Sequence, residues 1–183
     1  MRAISAPAAG MATAVLVHAL DFDDTHAGAL VHATAVSVPA ALAVGQQVRA
    51  TGADVLTAAA IGLETACRLG GRQPSWFPRT CLHATAVVGP FAAALVTGKL
   101  TGLPVPALVH ALGVAGSSSG GLLEFLDTDA DTKALHPPGS ATLGGILAAR
   151  LAAAGASGPA SVLEGRGGVC MRRCRSDPPT SRC

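Results

Sequence analysis

The chain has 183 residues, enough for one domain with a buried core. Half of them are hydrophobic, dominated by Ala, Val and Leu, with four Phe, one Trp and no Tyr. A formal charge of +2, with much of the positive charge in the last dozen residues, leaves no basic stripe and argues against a nucleic-acid partner.

The mean hydropathy of +0.47 raises the question of a membrane. The N-terminal run of small residues after Arg2 flows straight into His18 and an acidic cluster, which does not fit a cleavable signal peptide. The best candidate span, Ala84 to Gly98, is interrupted by Pro90 and closed by Lys99. The stretch from Leu103 to Gly116 carries two prolines and His110, so no transmembrane segment is expected.

Leu20-Asp-Phe-Asp-Asp-Thr-His26 is the densest polar cluster. Its plainest reading is a solvated loop whose carboxylates cap the helix that follows. The run from Val31 to Val44 is ambiguous, but Pro39 before Ala40-Ala41-Leu42 favours a helix begun near Ser37 with the proline in its first turn. Thr51-Gly-Ala-Asp54 resembles a capping box. Behind it Val55, Leu56, Ala59, Ala60, Leu63 and Cys67 recur at helical spacing until Gly70-Gly71. Further helices are predicted from about Thr85 to Leu100, from Pro104 or Pro106 to Gly116, and from Ser140 to Ala154 with Gly155 as terminator. No stretch alternates as a strand does, so the predicted fold is all-α.

The chain divides at residue 168. Residues 169–183 carry four Arg, three Cys and no periodicity, and read as a disordered or out-of-frame tail. A metal-binding tail would need a His or a CxxC pair, and it has neither. The five cysteines, Cys67, Cys81, Cys170, Cys174 and Cys183, are odd in number and fit a reducing cytoplasm better than a disulfide framework.

Two family resemblances compete for the acidic box. Asp21-Phe-Asp23-Asp-Thr25 resembles the DxDxT box of haloacid dehalogenase-type phosphatases, with Ala14 to Leu20 as a possible first strand. That resemblance would make Asp21 a nucleophile and Asp23 an acid/base, working with magnesium. It needs a late acidic pair, for which Asp127, Asp129 and Asp131 are available, but no strand precedes them.

The second resemblance rests on blocks in order along the chain. His18-Ala-Leu-Asp-Phe-Asp-Asp-Thr-His26 is similar to the box of the MmgE/PrpD (2-methylcitrate dehydratase) family, followed by His32-Ala-Thr-Ala-Val-Ser-Val-Pro-Ala-Ala-Leu42. Gly62-Leu-Glu-Thr-Ala-Cys-Arg-Leu69 and Cys81-Leu-His-Ala-Thr-Ala-Val-Val-Gly-Pro-Phe-Ala-Ala-Ala94 resemble its next two blocks. Thr132-Lys-Ala-Leu-His136 and Gly158-Pro-Ala-Ser-Val-Leu-Glu-Gly165 complete a likeness that spans residues 11–166.

The resemblance implies a helical-bundle domain acting on small di- or tricarboxylates by dehydration, decarboxylation or epimerisation. No metal or organic cofactor is implied, and a homodimer is. These reactions move a proton at carbon beside a carboxylate, which calls for a positioned acid/base and for groups that hold negative charge. Carried over by position, His32 and His83 are the proton-transfer groups and Lys133 pairs with a substrate carboxylate. Asp21 and Thr25 orient the histidines and hydrogen-bond the substrate, and His136, also on the substrate side, and His26 are neighbours. His18 and His110 are assigned to structure.

The chain departs from the family in having Ala33 after His32 and Ala84 after His83, where proline is usual. The family also has an upstream segment and a second, smaller α/β domain that closes over the cleft. The expectation is therefore a truncated chain inactive alone, with a non-catalytic helical binding module as the alternative.

Overall fold

The computed structural model describes residues 4–72, 81–128 and 135–169, the first two of the last segment by backbone alone. Six α-helices are found among the described residues: α1 (Ala6–His18), α2 (Ala33–Val48), α3 (Gly52–Gly71), α4 (Ala84–Thr101), α5 (Val105–Ala115) and α6 (Ala141–Ala153). Short 3-10 turns at Gly116–Ser118 and Glu124–Asp127 and a π turn at Leu135–Ser140 join the later helices. Strand-like pairing among the described residues is confined to two isolated bridges, His26 with Val31 and Leu82 with Leu122. The all-α class holds. No helix among them is long and apolar enough to cross a membrane.

The bundle is organised around α4, which packs against α2, α3, α5 and α6. Fourteen of its residues are buried, among them Val88, Phe91, Ala92 and Val96. A helix apolar on every side has to be surrounded, and this one is. Pro90 sits inside it and cannot donate to the Ala86 carbonyl one turn earlier. The Gly120 N–H does so instead, at 3.3 Å. Opposite this point α6 lies close: a Cβ at Gly145 would collide with the Pro90 carbonyl and with Ala93, so only glycine lets the two backbones approach this far.

The helix ends follow local chemistry. Thr51 Oγ accepts the Asp54 N–H at 3.2 Å and donates to Asp54 Oδ2 at 2.6 Å, the capping box read from the sequence. Gly102 closes α4 in the left-handed region (φ 69°), with the Leu103 N–H on the Gly98 carbonyl at 2.9 Å. Two elements differ from expectation. Helix α2 begins at Ala33, not near Ser37, and carries Pro39 in its interior. Asp24 Oδ1 accepts the Thr34 N–H at 3.0 Å and so caps a start that the proline alone did not reveal. The N-terminal run that could pass for a strand is α1.

The buried face of α3 is also shifted from the predicted one. Ala58, Ala59, Gly62, Ala66 and Gly70 face the core, while Leu56 is 73% exposed. Small residues let α3 lie close to its neighbours, so the close-packed interior selected them over the larger ones. Cys67 carries a free thiol. Cys81 is disulfide-bonded, in contrast to the fully reduced set expected.

Candidate functional site

Helix α1 buries Ala6, Pro7, Gly10, Ala14 and His18. Residues 6, 10, 14 and 18 lie one turn apart, a stripe of small side chains that ends in an imidazole. The chain then turns sharply, with Asp21 in the left-handed region (φ 57°) and its N–H on the His18 carbonyl at 3.0 Å. Aspartate tolerates that conformation better than most residues.

This turn separates the carboxylates of the acidic box. The Asp23 side chain is only 1% exposed and lies against His18, whose Nδ1 is 3.1 Å from Oδ1 and 3.0 Å from Oδ2. Asp24 caps α2, as the plainest sequence reading expected of the box. Asp21 is half-exposed, with Oδ1 4.0 Å from His18 Nδ1.

His32 and His83 occupy the N-cap positions of α2 and α4. The two helix starts are tied together, since the His32 N–H donates to Thr85 Oγ1 on α4 at 3.0 Å. A strip running from Gly120 to Leu123 lies antiparallel to the start of α4, with the His83 N–H on the Gly121 carbonyl at 2.9 Å and the Leu123 N–H on the Cys81 carbonyl at 3.0 Å. The same segment delivers Phe125, whose ring centroid lies 5.8 Å from that of His83.

The rings of His32 and His83 stack with centroids 6.2 Å apart, and His18 meets His32 edge-on at 4.5 Å. His32 Nδ1 lies 3.4 Å from Asp23 Oδ2 and 3.4 Å from Thr25 Oγ1. Three imidazoles and a buried carboxylate thus meet where two helix N-termini converge, and the partial positive charge of those ends favours an anionic ligand.

Among the predicted site residues, His32, His83, Thr25 and Asp21 come together. Lys133 and the side chain of His136 lie outside the described residues. His26 has a backbone role, closing the turn to Val31 with N–H to carbonyl at 3.0 Å. His110 tethers α5, its Nδ1 3.4 Å from the Gly158 nitrogen, in the structural role expected of it.

His18, assigned to structure by the sequence, is buried as that assignment expects, and it also packs into the cluster. The four-residue stripe that ends in it was the available signal. The sequence singles out Asp23 only as the acid/base of the phosphatase alternative. That alternative loses its footing, because Asp21 and Asp23 follow a helix and not a strand.

His18, His32 and His83 each offer a ligand atom, all within 4.8 Å of one another, and so do His18, Asp21, Asp23 and His32. Nitrogen and carboxylate donors of this kind suit a divalent transition metal. In this arrangement, however, imidazole nitrogens already face the Asp23 carboxylate.

Fold and site define an all-helical domain with an imidazole–carboxylate cluster at paired helix N-termini. The chain matches the MmgE/PrpD N-terminal domain over residues 1–181. It belongs to that family.

Its relatives include cis-aconitate decarboxylase of Aspergillus terreus, 32% identical over 163 residues that cover 86% of this chain and 33% of that protein. Cis-aconitate decarboxylase of Homo sapiens is 32% identical over 162 residues, covering 85% and 33%, and that of Mus musculus is 30% identical over 162 residues, covering 85% and 32%. The chain spans about a third of the length of these relatives.

Proposed function

We propose that this chain is the substrate-holding helical part of a lyase that acts on a small di- or tricarboxylate, with cis-aconitate as the first substrate to test. The observation that carries the reading is the pairing of His32 and His83, 51 positions apart in the sequence, on tethered helix N-termini. Helix N-termini and imidazoles favour carboxylates, and an imidazole can also give or take a proton near neutral pH. In a decarboxylation the carbon–carboxylate bond breaks, CO2 leaves, and its electron pair stays with the organic fragment until carbon is protonated. His32 and His83 are the groups assigned to that proton. Asp21 and Thr25 orient them, and Lys133, with His136 nearby, pairs with a carboxylate of the substrate.

Cis-aconitate is put first because relatives are named cis-aconitate decarboxylases, and 2-methylcitrate, which the family resemblance also suggests, comes second. Calorimetric titration of the purified chain with cis-aconitate, 2-methylcitrate and iminodisuccinate tests the reading. Cis-aconitate is expected to bind, and His83→Ala or His32→Ala to weaken binding by about tenfold, the loss of one charge-assisted hydrogen bond. Binding of none of the three, or binding indifferent to both substitutions, would sink it.

A further inference from the structure

We propose that His18 and Asp23 form a buried positioning pair that sets the tautomer of His32: His18 holds the Asp23 carboxylate, and Asp23 holds the proton on Nδ1 of His32. The role given to His32 in proton transfer rests on the function proposed above, whereas the tautomer assignment stands on geometry alone.

The two oxygens that flank His32 Nδ1, Asp23 Oδ2 and Thr25 Oγ1, are each 3.4 Å away. An ionised carboxylate only accepts hydrogen bonds. A proton on Nδ1 therefore has an acceptor in either oxygen, while a lone pair there could take a proton only from the Thr25 hydroxyl and would still face the lone pairs of a carboxylate that is 1% exposed. This selects Nδ1–H and leaves the basic lone pair on Nε2. Contacts of this length are common before a ligand tightens a site.

His18 fixes the carboxylate in turn. Its side chain is 0% exposed, and its Nδ1 sits between the two Asp23 oxygens at 3.1 and 3.0 Å, closer than His32. His18 Nε2 is buried with no hydrogen-bond partner among the described residues. A second proton on His18 would lie on that nitrogen without an acceptor, so His18 holds Asp23 as a neutral hydrogen-bond donor and leaves the carboxylate its negative charge. That charge faces His32 when His32 takes a proton on Nε2. The edge-on contact of the His18 and His32 rings at 4.5 Å restrains the plane in which Nε2 is presented.

Imidazole nitrogen NMR on the full 183-residue chain tests the proposal, with His18→Gln and His32→Gln variants assigning the signals. The expected spectrum has His32 protonated on Nδ1. Asp23→Asn should reverse the majority tautomer, because an amide NH2 can donate to Nδ1, with the circular dichroism unchanged. Asp23→Glu should keep the original tautomer. A wild-type His32 protonated mainly on Nε2 overturns the proposal, and that result needs no variant to fold. A tautomer indifferent to Asp23→Asn in a folded protein overturns it too. Addition of cis-aconitate to the same sample separates the two readings: imidazole signals that do not respond count against the proposed function and leave the tautomer assignment standing.

Discussion

Neighbouring residues of the acidic box have separate tasks because one left-handed turn at Asp21 aims them differently. Asp23 goes inward to His18, Asp24 caps α2, and Thr25 reaches His32. Asp24 also acts at a distance on Cys67. Burial pushes the Cys67 thiol up, and the charges of Asp24 and Glu64 push it further in the same direction. Since the thiolate is the reactive form, Cys67 should be alkylated several-fold more slowly than a small free thiol at pH 7.5. Peptide-resolved mass spectrometry after timed iodoacetamide treatment measures this, and Glu64→Gln should hasten it. A rate equal to the free thiol would contradict the assignment.

At the scale of the element, α3 shows how far a cap can be trusted. Replacing Thr51 with Ala removes the acceptor for the Asp54 N–H and should cost about 1 kcal/mol, read as a lower urea midpoint. The Thr51 hydroxyl is also the main cause holding the Asp54 carboxyl below the usual carboxylate value. With the folded value depressed, Asp54 contributes stability above the unfolded carboxylate value and loses that contribution as the pH falls through its folded value. In Thr51→Ala the carboxyl resonance of Asp54 should therefore titrate at higher pH than in the wild type. An unmoved titration would show that the hydroxyl is not the cause.

At the scale of the whole molecule, the close crossing of α6 over the proline-containing turn of α4 decides how the bundle shuts. Gly145→Ala puts a methyl group against the Pro90 carbonyl and Ala93, both parts of a buried helix that cannot swing aside. Overpacking of this kind should cost about 1–3 kcal/mol in thermal or urea unfolding, and a neutral substitution would mean that the two helices move apart freely. On the surface, Leu16, Leu20 and Phe22 are 76%, 73% and 90% exposed around the end of α1. We propose that this apolar surface drives the chain to self-associate as a homodimer. Sedimentation equilibrium should then give a mass near twice the 18.0 kDa of one chain, and a monomer at tens of micromolar would refute it.

The all-helical class and most ends of α3 to α6 were legible in the sequence, because caps, prolines and glycines act on backbone groups a few residues away. Thr51 with Asp54, Gly102 after α4 and Pro104 before α5 specify their boundaries without reference to the rest of the molecule. The family blocks also marked His32 and His83 before any geometry was known. Other features depended on contacts between distant segments. Helix α1 has no strong polar face to announce it, and its small residues become a packing stripe only when α2 and α6 lie against them. Which face of α3 is buried, and where α2 begins, likewise depended on partners elsewhere in the chain. The place of His18 was the least legible of all. A histidine one turn beyond Ala14 is an ordinary core residue until the turn at Asp21 folds the Asp23 carboxylate back onto it, and that meeting exists only in the tertiary structure.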